Sequence, residues 1–470
     1  MTLMHSILLL LAMVFVSSCA TPQERVSYKP PLGDQGELYF FLQPLPQEVE
    51  SLSFVLSEIS AVPVQGEAIP ILASDMLIEG SEYVGRQKRL AAALLPPGRY
   101  KGIVLSIVRA GKETEEGEVD LLPPPSPVRL ELDFSIQRGR AHALFLFLSS
   151  EFLVREGYRF TPRFVLGKPF LPPRNYTGFV SLPDENIVAV FNKKTMEIVQ
   201  VIHTGTGPMG MALDQRNGTV YVAAAGSDDI DIINLTTMSI IGRIRMRSGD
   251  APREIVLTPD GRTLLAVNSG SGTVSLIDTR SQSERARFIL DPDPVWIVMG
   301  ETGQSAFVLH ALTNTLSILD VRRQELLAAI TLDESPWRGA LGRDGDNLFI
   351  VPQYTSDLLV LDTDSFVETR RVFTGGGASS ITVDPRNSLV YVGTSSAEVV
   401  VVDPDAGMYI DSFPVERDTE HLAIDGEENT LLVLSGQAGK LQKFNLVSKK
   451  MTAGLDTGSR GYALVVMGEL

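Results

Sequence analysis
Pro208-Met-Gly-Met-Ala-Leu-Asp214 and Pro252-Arg-Glu-Ile-Val-Leu-Thr258 open two consecutive copies of one unit. A tight turn follows each, at Asp214 to Gly218 and at Pro259-Asp-Gly261. A second apolar run comes next, Val220-Tyr-Val222 and Leu264-Leu-Ala-Val267, then a small polar loop, Ala225-Gly-Ser-Asp228 and Ser269-Gly-Ser-Gly272. A third run ends on an acid or amide, Ile230-Asp-Ile-Ile-Asn234 and Val274-Ser-Leu-Ile-Asp278. A fourth, Ile240 to Ile244 and Ala286 to Leu290, closes the unit. Short apolar runs separated by turn residues read as strands, so each unit holds four.

The openings recur at Pro208, Pro252, Pro294, Pro336, Ala378, Thr419 and Ser459, at intervals of 44, 42, 42, 42, 41 and 40 residues. Four strands of this length cannot bury both faces alone, but radial stacking lets each sheet cover its neighbours. The seventh opening supplies one strand, Ser459 to Val466, before the chain ends. Three strands precede the first full copy: Gly178 to Leu182, Ile187 to Asn192 and Ile198 to His203. The expectation is an all-β ring of seven blades, closed by pairing the last strand with those three, which hides edges that invite aggregation.

The pattern x-P-x-G-[IM]-A-[LV]-[DS], a turn, then V-S-[LV]-I-D fits Pro208 to Asp214 and Val274 to Asp278. A degenerate tetrapeptide appears as Tyr221-Val-Ala-Ala224, Leu265-Ala-Val-Asn268 and Tyr391-Val-Gly-Thr394. Over residues 176–470 the chain resembles the YVTN-repeat β-propellers. The resemblance implies a seven-bladed β-propeller and no particular task, since one fold hosts many functions.

At the N-terminus, Ile7 to Val16 is an apolar core too short to span a bilayer, followed by Val16-Ser-Ser-Cys19. This resembles a bacterial lipobox. It implies a signal peptide over residues 1–18, lipidation of Cys19, and a tether over 19–36. Ala20 after the Cys resembles outer-membrane sorting in a Gram-negative host. Residues 37–167 again read as strands, without the long period. Gly36-Glu-Leu-Tyr-Phe-Phe-Leu42, Leu95-Pro-Pro-Gly-Arg-Tyr100 and Leu130-Glu-Leu-Asp-Phe134 resemble a bacterial lipoprotein domain with a transthyretin-like β-sandwich, which implies no activity. Lys168-Pro-Phe-Leu-Pro-Pro-Arg-Asn175 reads as a stiff, extended spacer before the ring.

Composition narrows the chemistry. Cys19 is the single cysteine, so the mature body is expected to hold no disulfide, thiolate zinc site, iron–sulfur cluster or covalently attached haem. A net charge of −16 argues against phosphate-backbone binding, so no nucleic-acid partner is expected. The five histidines fall in no metal-ligating spacing, and no nucleophile elbow occurs. No catalytic residue, metal or cofactor is therefore assigned. Asp214, Asp278, Asp320, Asp362, Asp384, Asp403 and Asp425 recur at strand ends, where Asp commonly caps a turn through its own backbone.

The ring mouth carries the candidate site. The two residues after each opening are Met209-Gly210, Arg253-Glu254, Val295-Trp296, Trp337-Arg338, Ser379-Ser380, Glu420-His421 and Arg460-Gly461. Arg253, Glu254, Trp296, Trp337, Arg338, Glu420, His421 and Arg460 interrupt a small, aliphatic repeat. Both tryptophans of the chain are among them. Arg253, Arg338 and Arg460 against Glu254 and Glu420 leave this rim net positive by one on a chain of −16, and stacking on indoles and arginine forks suit an anionic or aromatic ligand. The expectation is a lipid-anchored envelope protein that binds an envelope protein or such a ligand, with its oligomeric state left open. The alternative is a propeller enzyme of lactonase or isomerase type acting on an organic acid at the mouth.

Overall fold
The computed structural model describes residues 28–468, apart from Ala73, Phe152, Tyr354 and Arg417. The expected signal peptide and Cys19 lie outside the described residues. The chain is almost wholly β, and from Thr177 onward it forms seven four-stranded antiparallel sheets among the described residues. The second blade is typical: Pro208–Asp214, Thr219–Ala224, Asp229–Asn234 and Ser239–Arg245, side by side in chain order. Its two middle strands are apolar runs covered on both faces. Outermost strands such as Ser283–Ile289 carry charge and face solvent along one side.

One turn recurs in every blade. The third strand ends on Asn192, Asn234, Asp278, Asp320, Asp362, Asp403 or Asn445, whose side-chain oxygen accepts a backbone N–H two or three residues on. The turn then passes through the left-handed region, at Met196, Met238, Gln282, Gln324, Phe366, Gly407 and Lys449. Asn and Asp suit this because their short side chains mimic a backbone turn. Asp214, Asp384 and Asp425 accept backbone N–H groups in the same way at the ends of inner strands. The strand-end aspartates are thus turn caps.

The ring closes through its last strand. Leu464–Val466 pairs antiparallel with Thr177–Leu182, matching Gly178 with Val466 and Val180 with Leu464. Each inner strand lies against the next, and Thr419–Asp425 lies against Leu464–Val466.

The N-terminal unit holds two larger sheets. One orders Arg163–Gly167, Ala141–Ser149, Gly36–Leu42 and Lys88–Leu95, with Gly36–Leu42 parallel to Ala141–Ser149. The other holds six strands around Leu52–Pro63 and Gly98–Thr114. Leu38, Phe40 and Leu42 from the first sheet meet Phe54, Leu56 and Ile103 from the second in one core.

The expected spacer does not hold the two units apart. Gly36–Leu42 is buried along its whole length. Its alternate side chains Tyr39 and Phe41 join Phe145 against Ile198, Leu432 and Leu455 of the ring. A strand apolar on both faces must be covered on both, and each large side chain so covered is worth about 1.5–3 kcal/mol. Polar contacts flank this patch. Gln87 brackets Ile198 with two hydrogen bonds to its backbone, and Arg89 pairs with Glu185 at 2.7 Å. The end of the expected tether also lies on the ring: Asn186 donates to the Lys29 carbonyl at 2.6 Å, and the Tyr28 ring fills the space beside Gly207 and Gly226.

Candidate functional site
The mouth residues are aimed by a repeated irregularity. In six blades the inner strand slips register just after its opening residue: Pro252 pairs with Asn268, but Glu254 pairs with Val267. The same step follows Pro208, Pro294, Pro336, Ala378 and Thr419. One residue is extra at each step. Such bulges re-aim side chains and cluster near functional sites.

These bulges bring seven of the eight expected residues together. Arg338, 2% exposed, is the hub. Its guanidinium carbon sits 4.3 Å from the centre of Trp296, 5.0 Å from Trp337 and 5.6 Å from Tyr462. Its Nη2 donates to Glu420 at 3.0 Å, and its Nη1 lies 4.0 Å from Glu254. Arg338 Nε and Nη1 have no hydrogen-bond acceptor among the described residues. They lie among aromatic faces, whose negative quadrupole answers the cation. Arg253 stacks 5.3 Å from Trp337 and donates to the Tyr462 hydroxyl at 3.0 Å, and that hydroxyl donates to Glu254 at 2.5 Å. The Trp296 indole donates to the Gly339 carbonyl at 2.7 Å and lies 6.4 Å from the His421 ring.

Burial sets the protonation states. It pushes Glu254 up to about 6, and the pull of Arg338 and the Tyr462 hydroxyl only partly offsets it. Burial, then the Arg338 charge, lowers His421 to about 4 and leaves it neutral near pH 7. Tyr462 is pushed up to about 12, again chiefly by burial. Arg253 is held in its charged form, first by Tyr462.

Three expectations change. Arg338 is a caged, paired hub rather than an open fork on the rim. The cluster is balanced rather than positive, with Arg253 and Arg338 set against Glu254 and Glu420. Arg460 joins it through no hydrogen bond or ion pair among the described residues, and lines a separate cleft instead. Both indoles keep partial exposure, as a binding role requires.

Tyr462 was missed, and the cause is one of phase. The Tyr462 N–H donates to the Ser181 carbonyl, and Leu464 pairs with Val180. Tyr462 thereby takes the place that Arg253 and Glu420 hold in their blades. An interval of 42 residues from Thr419 lands on Gly461, and Tyr462 follows it; opening the last copy at Ser459 shifts the frame by two.

Among the described residues, no group of three or more His, Cys, Asp or Glu could hold a metal ion, and no helix is long and apolar enough to cross a membrane.

The model of a YNCE-like beta-propeller family matches residues 182–384. No curated protein matches the chain. Among solved structures, the Kuenenia stuttgartiensis hydrazine synthase is similar, at 15% identity and TM-score 0.50, covering 60% of this chain and 94% of that one. The dihydro-heme d1 dehydrogenase NirN, solved in complex with DHE, is similar at 12% identity and TM-score 0.51, covering 64% and 77%. At such identities the likeness is one of fold. The C-terminal ring is a β-propeller whose residues 182–384 match the YNCE-like model, consistent with the YVTN resemblance that its repeats carry.

Proposed function
We propose that this protein is a lipid-anchored recognition scaffold of the cell envelope, which receives a ligand or partner at the propeller mouth. The observation that carries this reading is the Arg338 cluster. It joins side chains from the third, fourth, fifth and seventh blades to Tyr462 of the closing segment, and it presents two partly exposed indoles on a fixed base. Rigid, partly exposed aromatics backed by locked neighbours are how binding hot spots are built. Because the cluster balances its own charge, an aromatic or planar group stacking on the indoles fits better than a bare anion.

The test is capture from detergent-solubilised membranes by wild type and by Trp296→Ala/Trp337→Ala, each checked for folding. A partner recovered by wild type alone supports the reading. Equal recovery by both places recognition elsewhere. The anchor is tested separately: Cys19→Ala is expected to move the protein from the membrane to the soluble fraction, and full retention would remove the anchor from the proposal.

One observation favours a second reading. Glu254, raised to about 6 and 4.0 Å from Arg338, has the character of a general base near neutral pH. Hydrolysis of a lactone panel, abolished by Glu254→Gln, would establish an enzyme in place of a scaffold.

A further inference from the structure
We propose that the cleft between the N-terminal unit and the propeller is a separate binding site for a small oxyanion, a phosphate or a carboxylate. A cavity of about 290 Å³ opens there. Lys88 and Arg89, on the strand Lys88–Leu95, reach it from one side, and Gln437, Asp456, Ser459 and Arg460 line it from the ring.

The donors are unevenly used. Arg89 is committed: its Nη1 donates to both Glu185 oxygens, at 2.7 and 2.8 Å, and its Nη2 to the Gly458 carbonyl at 2.8 Å. Asp456 accepts the Gly458 N–H at 2.8 Å. Lys88 rests 5.5 Å from the centre of the Tyr83 ring. The Arg460 Nε and the Ser459 hydroxyl are buried without a hydrogen-bond partner among the described residues.

Three cations from two separately built units thus converge on one small cavity, against Asp456 within it and Glu185 behind Arg89. The surrounding chain carries −16. Three cations against two carboxylates leave the cleft one positive charge in excess, which a bound anion would offset. A guanidinium fork beside a hydroxyl and an ammonium is a donor set that oxyanions fill well. A cavity of this size holds one small anion with a few waters. Because the donors belong to both units, bound anion would bridge the seam and stabilise the pair by mass action. The site stands apart from the Arg338 cluster and does not depend on the function proposed for it.

The experiment uses the mature full-length chain. Phosphorus NMR line widths report inorganic phosphate, and titration calorimetry reports succinate, both at low-millimolar concentration and fixed ionic strength. Saturable binding of either probe is expected, and the probe that binds identifies the class. Arg460→Ala and Lys88→Ala should each weaken it about tenfold or more. Ser459→Ala should weaken it less, and Arg280→Ala, an exposed arginine elsewhere on the ring, not at all. Melting temperatures without anion separate lost binding from lost fold. No saturable binding of either probe to wild type, or equal binding by wild type and Arg460→Ala, would overturn the proposal.

Discussion

Two sets of positions repeat around the ring, and they differ in what the repeat preserves. At the end of each third strand both the backbone and the chemistry recur: an Asn or Asp accepts a local N–H, and a residue with positive φ follows within a few positions. At the start of the inner strands the bulge recurs and the side chains do not: Met209, Arg253, Val295, Trp337, Ser379 and Glu420 occupy one backbone geometry. The first set builds the ring. The second uses the ring as a mount, gathering unlike residues from four blades and the closing segment around Arg338. A repeat protein can thus hold its fold constant in one tier while varying another.

The largest break of this comparison is loss of the ring. Deleting Gly461 to Leu470 removes the strand that pairs with Thr177–Leu182 and also Tyr462, so both tiers fail together. A single cooperative loss of structure at a much lower temperature is expected, because ring closure is non-local. A truncated chain that melts like wild type would refute closure by this strand.

Next in size is the hub. Arg338→Ala strands Glu254 and Glu420 near one another in a buried setting, and breaking such a pair costs about 3–5 kcal/mol. Thermal melts should show a large drop, partly recovered by Arg338→Ala/Glu254→Gln. A melting temperature within a degree or so of wild type would make the cluster ornamental to stability and return Arg338 to the rim.

The turn set should respond evenly. Asn234→Ala and Asp320→Ala each remove a cap worth about 1 kcal/mol, and the two losses should agree despite lying in different blades. Unequal effects in urea titrations would mean that the turns are not interchangeable.

The smallest effect concerns pH. Glu254 binds its proton more tightly in the fold, at about 6, than in the unfolded chain, at about 4.3. Its favourable contribution is present below the unfolded value and lost as pH rises through the folded one. His421, at about 4 in the fold against about 6.5 unfolded, acts oppositely: its contribution is lost as pH falls from the unfolded value toward the folded one. Glu254→Gln should therefore gain melting temperature relative to wild type as pH is raised through that window. A constant difference would show that Glu254 does not titrate there.

Much of the fold was legible because it is periodic. The turn signals and the three strands ahead of Pro208 foretold which segments would pair, down to the closing strand. The mouth residues were legible as departures from that period, but their contacts were not. Nothing in the one-dimensional spacing says that Arg338 would turn inward between two indoles and two carboxylates. Tyr462 was lost to a two-residue phase error at the end of the chain, where no following copy could correct it. In the N-terminal unit, Ile69–Leu72, Met76–Glu79 and Gly117–Leu121 carry too few alternating apolar residues to announce themselves. The contact between units was written in Leu38-Tyr-Phe-Phe-Leu42, yet a prolonged apolar run reads equally well as an ordinary core strand.

Closure by the final strand also imposes an order on synthesis. Leu182 and Leu464 are 282 residues apart, a delay of roughly 15–60 s at ordinary ribosome speeds. Throughout that delay Thr177–Leu182 has one edge unpaired and the first blade stays a three-stranded fragment. A nascent propeller of this design must be kept from pairing that edge with a neighbouring chain until its own last strand arrives.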